Sequence, residues 1–99
     1  MKVNKTFGVN GKEVFSDALL HPGELLGEEL EARDISQKEF AEAIGLRPSH
    51  LNELIKGKRN VSALLALRIE KELKIEADIW MRLQIQYDLE IARKQLKVA

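Results

Sequence analysis

The sequence predicts an all-α domain of five helices, in which the second and third helices form a helix-turn-helix motif. Apolar residues recur at helical spacing through five segments, and helix-capping residues stand at the segment boundaries. Aromatic residues make up only 5% of the 99-residue chain, which favours an aliphatic and helical core. A hydrophobic content of 44% is enough for the core of one small domain.

The first helix is predicted from about Pro22 to Arg33. Proline suits the first turn of a helix because no backbone N–H is required there, and Glu24 is favourable beside the positive helix start. The inward face is expected to consist of Leu25, Leu26 and Leu30.

The second helix is predicted to begin after Ser36. The Ser36 hydroxyl can accept from the backbone N–H of Glu39, while the Glu39 side chain reaches back to the Ser36 N–H. Gly45 is predicted to end the helix in a left-handed conformation, which is less costly for glycine than for residues with a Cβ. The apolar stripe of this helix consists of Phe40, Ala41 and Ile44.

The third helix is predicted from Pro48 to the residues just before Gly57. A turn of about three or four residues separates it from the second helix, as in DNA-binding helix-turn-helix motifs. An ordinary pair of packed helices is the alternative, but that arrangement does not require a small residue at Ala41 or a glycine at the turn. The inner face of the third helix is predicted to be Leu51, Leu54 and Ile55.

The fourth helix is predicted to follow Ser62 as its N-cap. The fifth helix is predicted from Ala77 or Asp78 to about Lys94, followed by a frayed tail at residues 95–99. The fourth helix has one apolar face with two further leucines beside it: Leu65, Ile69 and Leu73, then Leu64 and Leu67.

The fifth helix carries two apolar stripes. Trp80 and Tyr87 are expected to be core or interface residues, and Tyr87 shares a face with Ile79 and Leu83. A second stripe of Met81 and Ile85 is consistent with a contact between subunits.

Residues 1–20 differ from the rest of the chain. Asn10-Gly11 is a strong signal for a hairpin turn, and Val14-Phe15 could pair with the alternating residues before it. A short β-hairpin and a flexible tail are both open interpretations. We therefore divide the chain into an N-terminal extension at 1–20, a helix-turn-helix domain at 21–94 and a tail at 95–99.

Several function classes are disfavoured by composition. The chain has no cysteine, which excludes disulfides and favours an intracellular, cytoplasmic protein. No apolar run is long enough to cross a bilayer, and no secretory signal is visible. The two histidines lack metal-ligand spacing, and no catalytic or cofactor-binding motif is present. We therefore expect no enzyme activity, no metal and no cofactor.

The net charge of zero conceals an uneven distribution. Residues 21–34 carry five carboxylates and one arginine, whereas residues 44–60 carry four cations and one carboxylate. The basic segment coincides with the third helix and the loop after it. This arrangement is typical of a protein that contacts DNA through a local basic surface.

The candidate DNA-contacting residues follow from the motif, because the outward N-terminal half of the third helix reaches base edges. Asparagine can contact adenine bidentately, and glutamate can accept from cytosine N4. Plain solvent exposure is the alternative for each residue. The predicted base contacts are Ser49, His50, Asn52 and Glu53. The predicted phosphate contacts are Gln37, Lys38, Arg47, Lys56, Lys58 and Arg59.

Four stretches resemble the HigA family of antitoxins, whose domain is of the Xre/Cro, lambda-repressor-like type. They are HPGELL at 21–26, SQKEFA at 36–41, GKR at 57–59 and WMRLQIQYDL at 80–89, and the resemblance covers about residues 21–93. Members of that family often carry arginine on the third helix, where this chain has Ser49, His50 and Asn52. The operator sequence is therefore not implied.

The resemblance implies a homodimer that represses its own operon at a palindromic operator and neutralises a RelE-like, HigB-type toxin that cleaves mRNA. We predict the toxin-binding surface at Glu24, Glu28 and Glu31 because a basic, RNA-cleaving partner is attracted to carboxylates. Residues 1–20 are the second candidate surface. An acidic helix that only keeps the domain soluble is the alternative to a toxin-binding role for these carboxylates. Two other functions stay open: a stand-alone Xre-type repressor without a toxin, and a protein-interaction module that no longer binds DNA.

Overall fold

The computed structural model describes residues 20–98, and within this range the chain is all-α, as predicted. The predicted N-terminal hairpin, with its turn at Asn10-Gly11, lies outside the described residues. The five helices are α1 (Pro22–Ala32), α2 (Gln37–Ile44), α3 (Pro48–Ile55), α4 (Ala63–Leu73) and α5 (Ala77–Val98).

The helix boundaries are set by the capping residues that the sequence indicates. Ser36 and Glu39 form the reciprocal capping box at the start of α2, and the Ser62 hydroxyl accepts from the backbone N–H of Leu65 at the start of α4. Gly45 ends α2 with φ of 70°, in the left-handed region that the sequence predicts.

Helix α5 is longer than predicted. Its end was expected at about Lys94, but the helix continues to Val98. No glycine or proline interrupts the sequence after Lys94, and Lys97 is favourable beside the negative helix end. Local helix propensity therefore carries α5 past the last residue of the recognisable motif.

The core lies where all five helices meet. Helix α3 packs against α1 and α2, while α4 packs against α5 and α2. Each large side chain that folding buries there contributes roughly 1.5–3 kcal/mol. The largest fully buried apolar side chains are Trp80, Phe40, Leu26, Leu51, Leu54, Ile69 and Leu73.

Two small residues allow the helices around α3 to approach closely. Ala41 of α2 is completely buried, as expected for the crossing between α2 and α3. Gly23 of α1 lies against the end of α3, where an added Cβ would sit 1.7 Å from the carbonyl oxygen of Leu54. No side chain fits at that distance, so Gly23 fixes how α1 is seated on the helix-turn-helix.

Candidate DNA-binding surface

Helix α3 has one face in the core and one face outside it. Leu51 and Leu54 are fully buried, which prevents the helix from rotating about its own axis. The four predicted base-contacting residues therefore have a fixed direction. Ser49 is exposed, whereas His50, Asn52 and Glu53 are half-buried along the outer face.

The start of α2 lies beside this outer face. Gln37 and Lys38 are exposed residues of the first turn of α2. The Nδ2 atom of Asn52 donates a hydrogen bond to Oε1 of Gln37 at 3.3 Å. A predicted phosphate contact and a predicted base contact therefore belong to one continuous surface.

The basic loop after α3 is also joined to this surface. Lys56, Lys58 and Arg59 are exposed, and the Arg59 guanidinium forms an ion pair with Glu53 of α3. The hydrogen bond and the charge of Arg59 lower the pKa of the Glu53 carboxyl, with smaller contributions from His50 and Lys58. Glu53 and the three groups around it, Arg59, His50 and Lys58, thus form one cluster on the outer side of α3 and the loop after it.

Arg47 lies at the other end of α3. It is the exposed N-cap residue, and its side chain makes no capping hydrogen bond to α3. The turn Gly45–Arg47 therefore presents a cation next to the first turn of α3, where helix N–H groups favour an anion.

Helix α5 holds the loop between α3 and α4 through hydrogen bonds from one buried side chain. Oε1 of the buried Gln84 accepts from the backbone N–H of Val61 at 2.7 Å. Nε2 of Gln84 donates to Oδ1 of Asn60 at 3.1 Å and to Oδ1 of Asp88 at 3.0 Å. One carboxamide therefore ties the basic loop to the core.

His21 supports the same loop from the α1 side. It is 1% exposed, it lies against Gly57, and its Nδ1 accepts from the backbone N–H of Gly23 at 2.9 Å. Its ring meets Tyr87 of α5 edge to face, with ring centroids 4.8 Å apart. The buried Nε2 has no hydrogen-bond partner among the described residues.

The environment of His21 favours the neutral imidazole. Burial lowers the pKa of His21 below its usual 6.5, and smaller opposing effects come from Glu24, Asn60, Asp88 and the Arg59 backbone. Because Nδ1 must accept from Gly23, the neutral ring carries its proton on Nε2. The N-cap of α1 thus depends on an uncharged histidine.

The predicted toxin-binding residues lie in a groove along α1. Glu24, Glu28 and Glu31 line it on one side, and the start of α2, including Gln37, lines it on the other. The groove has a volume of about 750 Å³, with Ile35 and Ile55 among its apolar residues. It is acidic, and it shares Gln37 with the candidate DNA-contacting surface.

Sequence reasoning missed three residues that position this surface: His21, Gly23 and Gln84. His21 and Gly23 were noted only within the HPGE stretch, although a histidine directly before a proline at a helix start is a sign of an N-cap. Gln84 stands only within the WMRLQIQYDL stretch, and the helical pattern does not indicate that it is buried, because a glutamine within an amphipathic helix is ordinarily exposed.

Within residues 20–98, no group of three or more metal-ligating side chains comes together. None of the helices described here is long and apolar enough to cross a membrane.

The fold and this surface define a DNA-binding class of domain, and the comparisons agree. The family described as Helix-turn-helix matches residues 26–80, more than half of the chain. The chain is also 36% identical over 76 residues to Virulence-associated protein I of Dichelobacter nodosus, covering 76% of this chain and 70% of that protein. The chain belongs to the helix-turn-helix family.

Among solved structures, the chain is similar to HigA antitoxins. A HigA-family addiction module antidote protein from Coxiella burnetii is 32% identical, with a TM-score of 0.74, over 78% of this chain and 85% of that chain. Pseudomonas aeruginosa antitoxin HigA, solved with the higBA promoter, is 33% identical, with a TM-score of 0.75, over 79% of this chain and 86% of that chain. The sequence resemblance to HigA-type, Xre-family domains is confirmed.

Proposed function

We propose that this protein is an antitoxin that represses its own operon by sequence-specific DNA binding and neutralises a RelE-like, HigB-type toxin. Operator binding is supported mainly by the outer face of α3, where a row of polar side chains lies between cations at both ends of the helix. A HigA relative solved with its promoter supports the same conclusion.

The outer residues divide into two roles by chemistry. Ser49, His50, Asn52 and Glu53 contact base edges from α3 in the major groove, as the predicted motif requires. Gln37, Lys38, Arg47, Lys56, Lys58 and Arg59 contact phosphates and set the position of α3. The exposed cations give the domain a local field that its zero net charge conceals.

The proposed operator-binding form is a homodimer on a palindromic site. One helix-turn-helix contacts only a few base pairs, so specificity needs a second copy about one helical turn away. The face between α4 and α5 suits that contact. Leu67 of α4 and Ile85 of α5 are each 54% exposed and line one groove with Met81, where an aliphatic surface of a second copy can pack.

The toxin-binding surface is proposed along the acidic groove of α1. The carboxylates of Glu24, Glu28 and Glu31 attract a basic partner, and the apolar residues beside them add area that can be buried. Residues 1–20 are the alternative surface. The groove borders Gln37, so a toxin seated there lies close to the operator backbone.

A growth assay tests whether the protein neutralises a toxin. The protein encoded by the adjoining gene is expressed from an inducible promoter, and co-expression of the wild-type chain is expected to restore growth. Three variants are compared: Glu28→Lys with Glu31→Lys, deletion of residues 1–16, and a matched control with Glu72→Lys and Glu76→Lys on another exposed surface. A promoter reporter in the same cells shows that each variant still folds and represses.

The outcomes separate the surfaces and the functions. Loss of rescue in the Glu28 and Glu31 variant alone assigns the acidic groove, and loss in the deletion alone assigns the N-terminal segment. Full rescue by both excludes both surfaces. If the wild-type chain represses its promoter but never rescues growth, the protein is a stand-alone repressor and the antitoxin proposal is wrong.

A further inference from the structure

Glu53 is the one carboxylate in the basic segment 44–60, and it lies on the face of α3 that is proposed to meet DNA. Its side chain is 47% exposed and forms an ion pair with Arg59, whose side chain is 49% exposed. Because DNA is a polyanion, a carboxylate at this position opposes binding unless a donor compensates its charge. In the free protein that donor comes from the loop after α3.

The backbone after α3 turns so that Arg59 returns to Glu53. Gly57 has φ of 79°, in the left-handed region that favours glycine. The backbone N–H of Gly57 donates to the Leu54 carbonyl at 3.0 Å, and the backbone N–H of Lys58 donates to the Glu53 carbonyl at 2.8 Å. These two bonds form a Schellman motif. The next residue is Arg59, whose Nε donates to Oε1 of Glu53, so the fold itself brings the two charges together.

Each member of the pair has an alternative partner on DNA. Arg59 can exchange the carboxylate for a phosphate, which also accepts charge-assisted bonds from a guanidinium. Glu53 can exchange the guanidinium for the N4 amino group of cytosine, a donor that a carboxylate can contact in the major groove. The two exchanges are linked, because a phosphate that takes Arg59 leaves Glu53 without a donor at the interface.

We propose that the ion pair releases Arg59 to a phosphate only where Glu53 meets a cytosine. This inference rests on the proposed operator binding, and it makes Arg59 a specificity-determining residue although Arg59 touches no base. On other sequences Glu53 retains Arg59, and the pair presents no net charge to DNA. On the operator both residues contact DNA, and Arg59 adds one phosphate contact.

The test begins with duplexes that the wild-type chain selects from a randomised pool. A second selection with Glu53→Ala identifies the position where cytosine preference depends on Glu53. Dissociation constants are then measured on the selected duplex, on the same duplex with that base pair changed, and on random DNA, each at several salt concentrations. For the wild-type chain, log affinity is expected to depend on log salt more steeply on the selected duplex, by about one unit.

Arg59→Gln removes the cation and keeps a polar side chain. Its affinity is expected to fall roughly fivefold to tenfold on the selected duplex at about 0.1 M salt, and to change little on the other two DNAs. Lys58→Gln is the matched control from the same loop, and its loss should be similar on all three DNAs. Thermal melting of each variant checks that the fold is retained.

Glu53→Gln is expected to give the complementary result. Arg59 is then free on every sequence, so affinity for random DNA should rise by a similar factor and its salt dependence should steepen by about one unit. The same substitution in an Arg59→Gln background should give no such gain. Glu42→Gln removes an exposed carboxylate from α2 and controls for the change in net charge.

A loss for Arg59→Gln that is no larger on the selected duplex than on random DNA overturns the inference, because Arg59 then contacts phosphate on every sequence. An equal gain from Glu53→Gln with and without Arg59 also overturns it, since Glu53 then acts by repulsion alone. So does a selection with Glu53→Ala that changes cytosine preference at no position. A pool from which the wild-type chain enriches no sequence contradicts the proposed operator binding itself, whereas the other three outcomes, observed with an enriched sequence, contradict only the conditional role of Arg59.

Discussion

At the scale of single residues, His21 joins three parts of the domain that the sequence keeps far apart. Its Nδ1 caps α1, its ring packs against Tyr87 of α5, and Gly57 of the basic loop lies beside it. Gln84 ties the same loop to α5 through Val61 and Asn60. The loop that carries Lys58 and Arg59 is therefore held by the hydrogen bonds of the buried Gln84, which are costly to leave unmade, and by packing against the His21 ring.

The buried neutral His21 makes stability depend on pH. Its folded pKa is lowered, so the unfolded chain takes up the proton more readily than the folded chain. The contribution of the neutral His21 to the free energy of unfolding is complete above the unfolded pKa of about 6.5, and it is lost as the pH falls below that value. The slope is at most about 1.4 kcal/mol per pH unit, the limit for one proton.

Denaturant unfolding between about pH 7 and pH 5 measures this dependence. His21→Asn supplies the control, because asparagine is a good N-cap that does not titrate in this range. Its absolute stability is expected to be lower, since the contact with Tyr87 is lost, but its slope against pH should be smaller than that of wild type. Equal slopes in the two proteins would show that His21 titrates as it does in the unfolded chain.

At the scale of the elements, we expect substitutions in α3 and in the loop after it to change DNA affinity in different ways. His50→Ala and Asn52→Ala are each expected to cost about 1–3 kcal/mol on the specific operator and little on random DNA. Lys58→Ala should weaken both and flatten the dependence of log affinity on log salt by about one unit. Titrations on both duplexes at several salt concentrations measure these effects. Equal losses on both duplexes for Asn52→Ala would refute base contact by that residue.

The sequence predicts the elements better than the contacts between them. Ser36, Gly45 and Ser62 act within one helix turn of their own position, so local patterns identify them. The role of Gln84 depends on Asn60, which lies 24 positions away, and no local pattern reports such a distance. The pairing of Gln37 with Asn52 was missed for the same reason, although both were predicted to contact DNA.

At the scale of the whole molecule, opposite charges occupy neighbouring surfaces. The acidic groove of α1 includes Gln37, which also belongs to the candidate DNA-contacting surface, and the apolar groove between α4 and α5 is lined by other residues. The described residues thus present three surfaces that differ in charge and polarity, to which the proposed function assigns DNA, a basic partner and a second copy. The net charge is zero because the excess of carboxylates at residues 21–34 is offset by the excess of cations at residues 44–60 together with the rest of the chain.

The most direct test of the central claim places a DNA-cleaving iron chelate on α3. The chain has no cysteine, so Ser49→Cys gives a single attachment site on the exposed outer face, and Glu72→Cys on α4 is the matched control. With its own upstream DNA, the Ser49 conjugate is expected to cut at two clusters about one helical turn, roughly 34–36 Å, apart. Uniform cutting, or cutting no stronger than that of the Glu72 conjugate, would contradict the placement of α3 in the major groove of a palindromic operator.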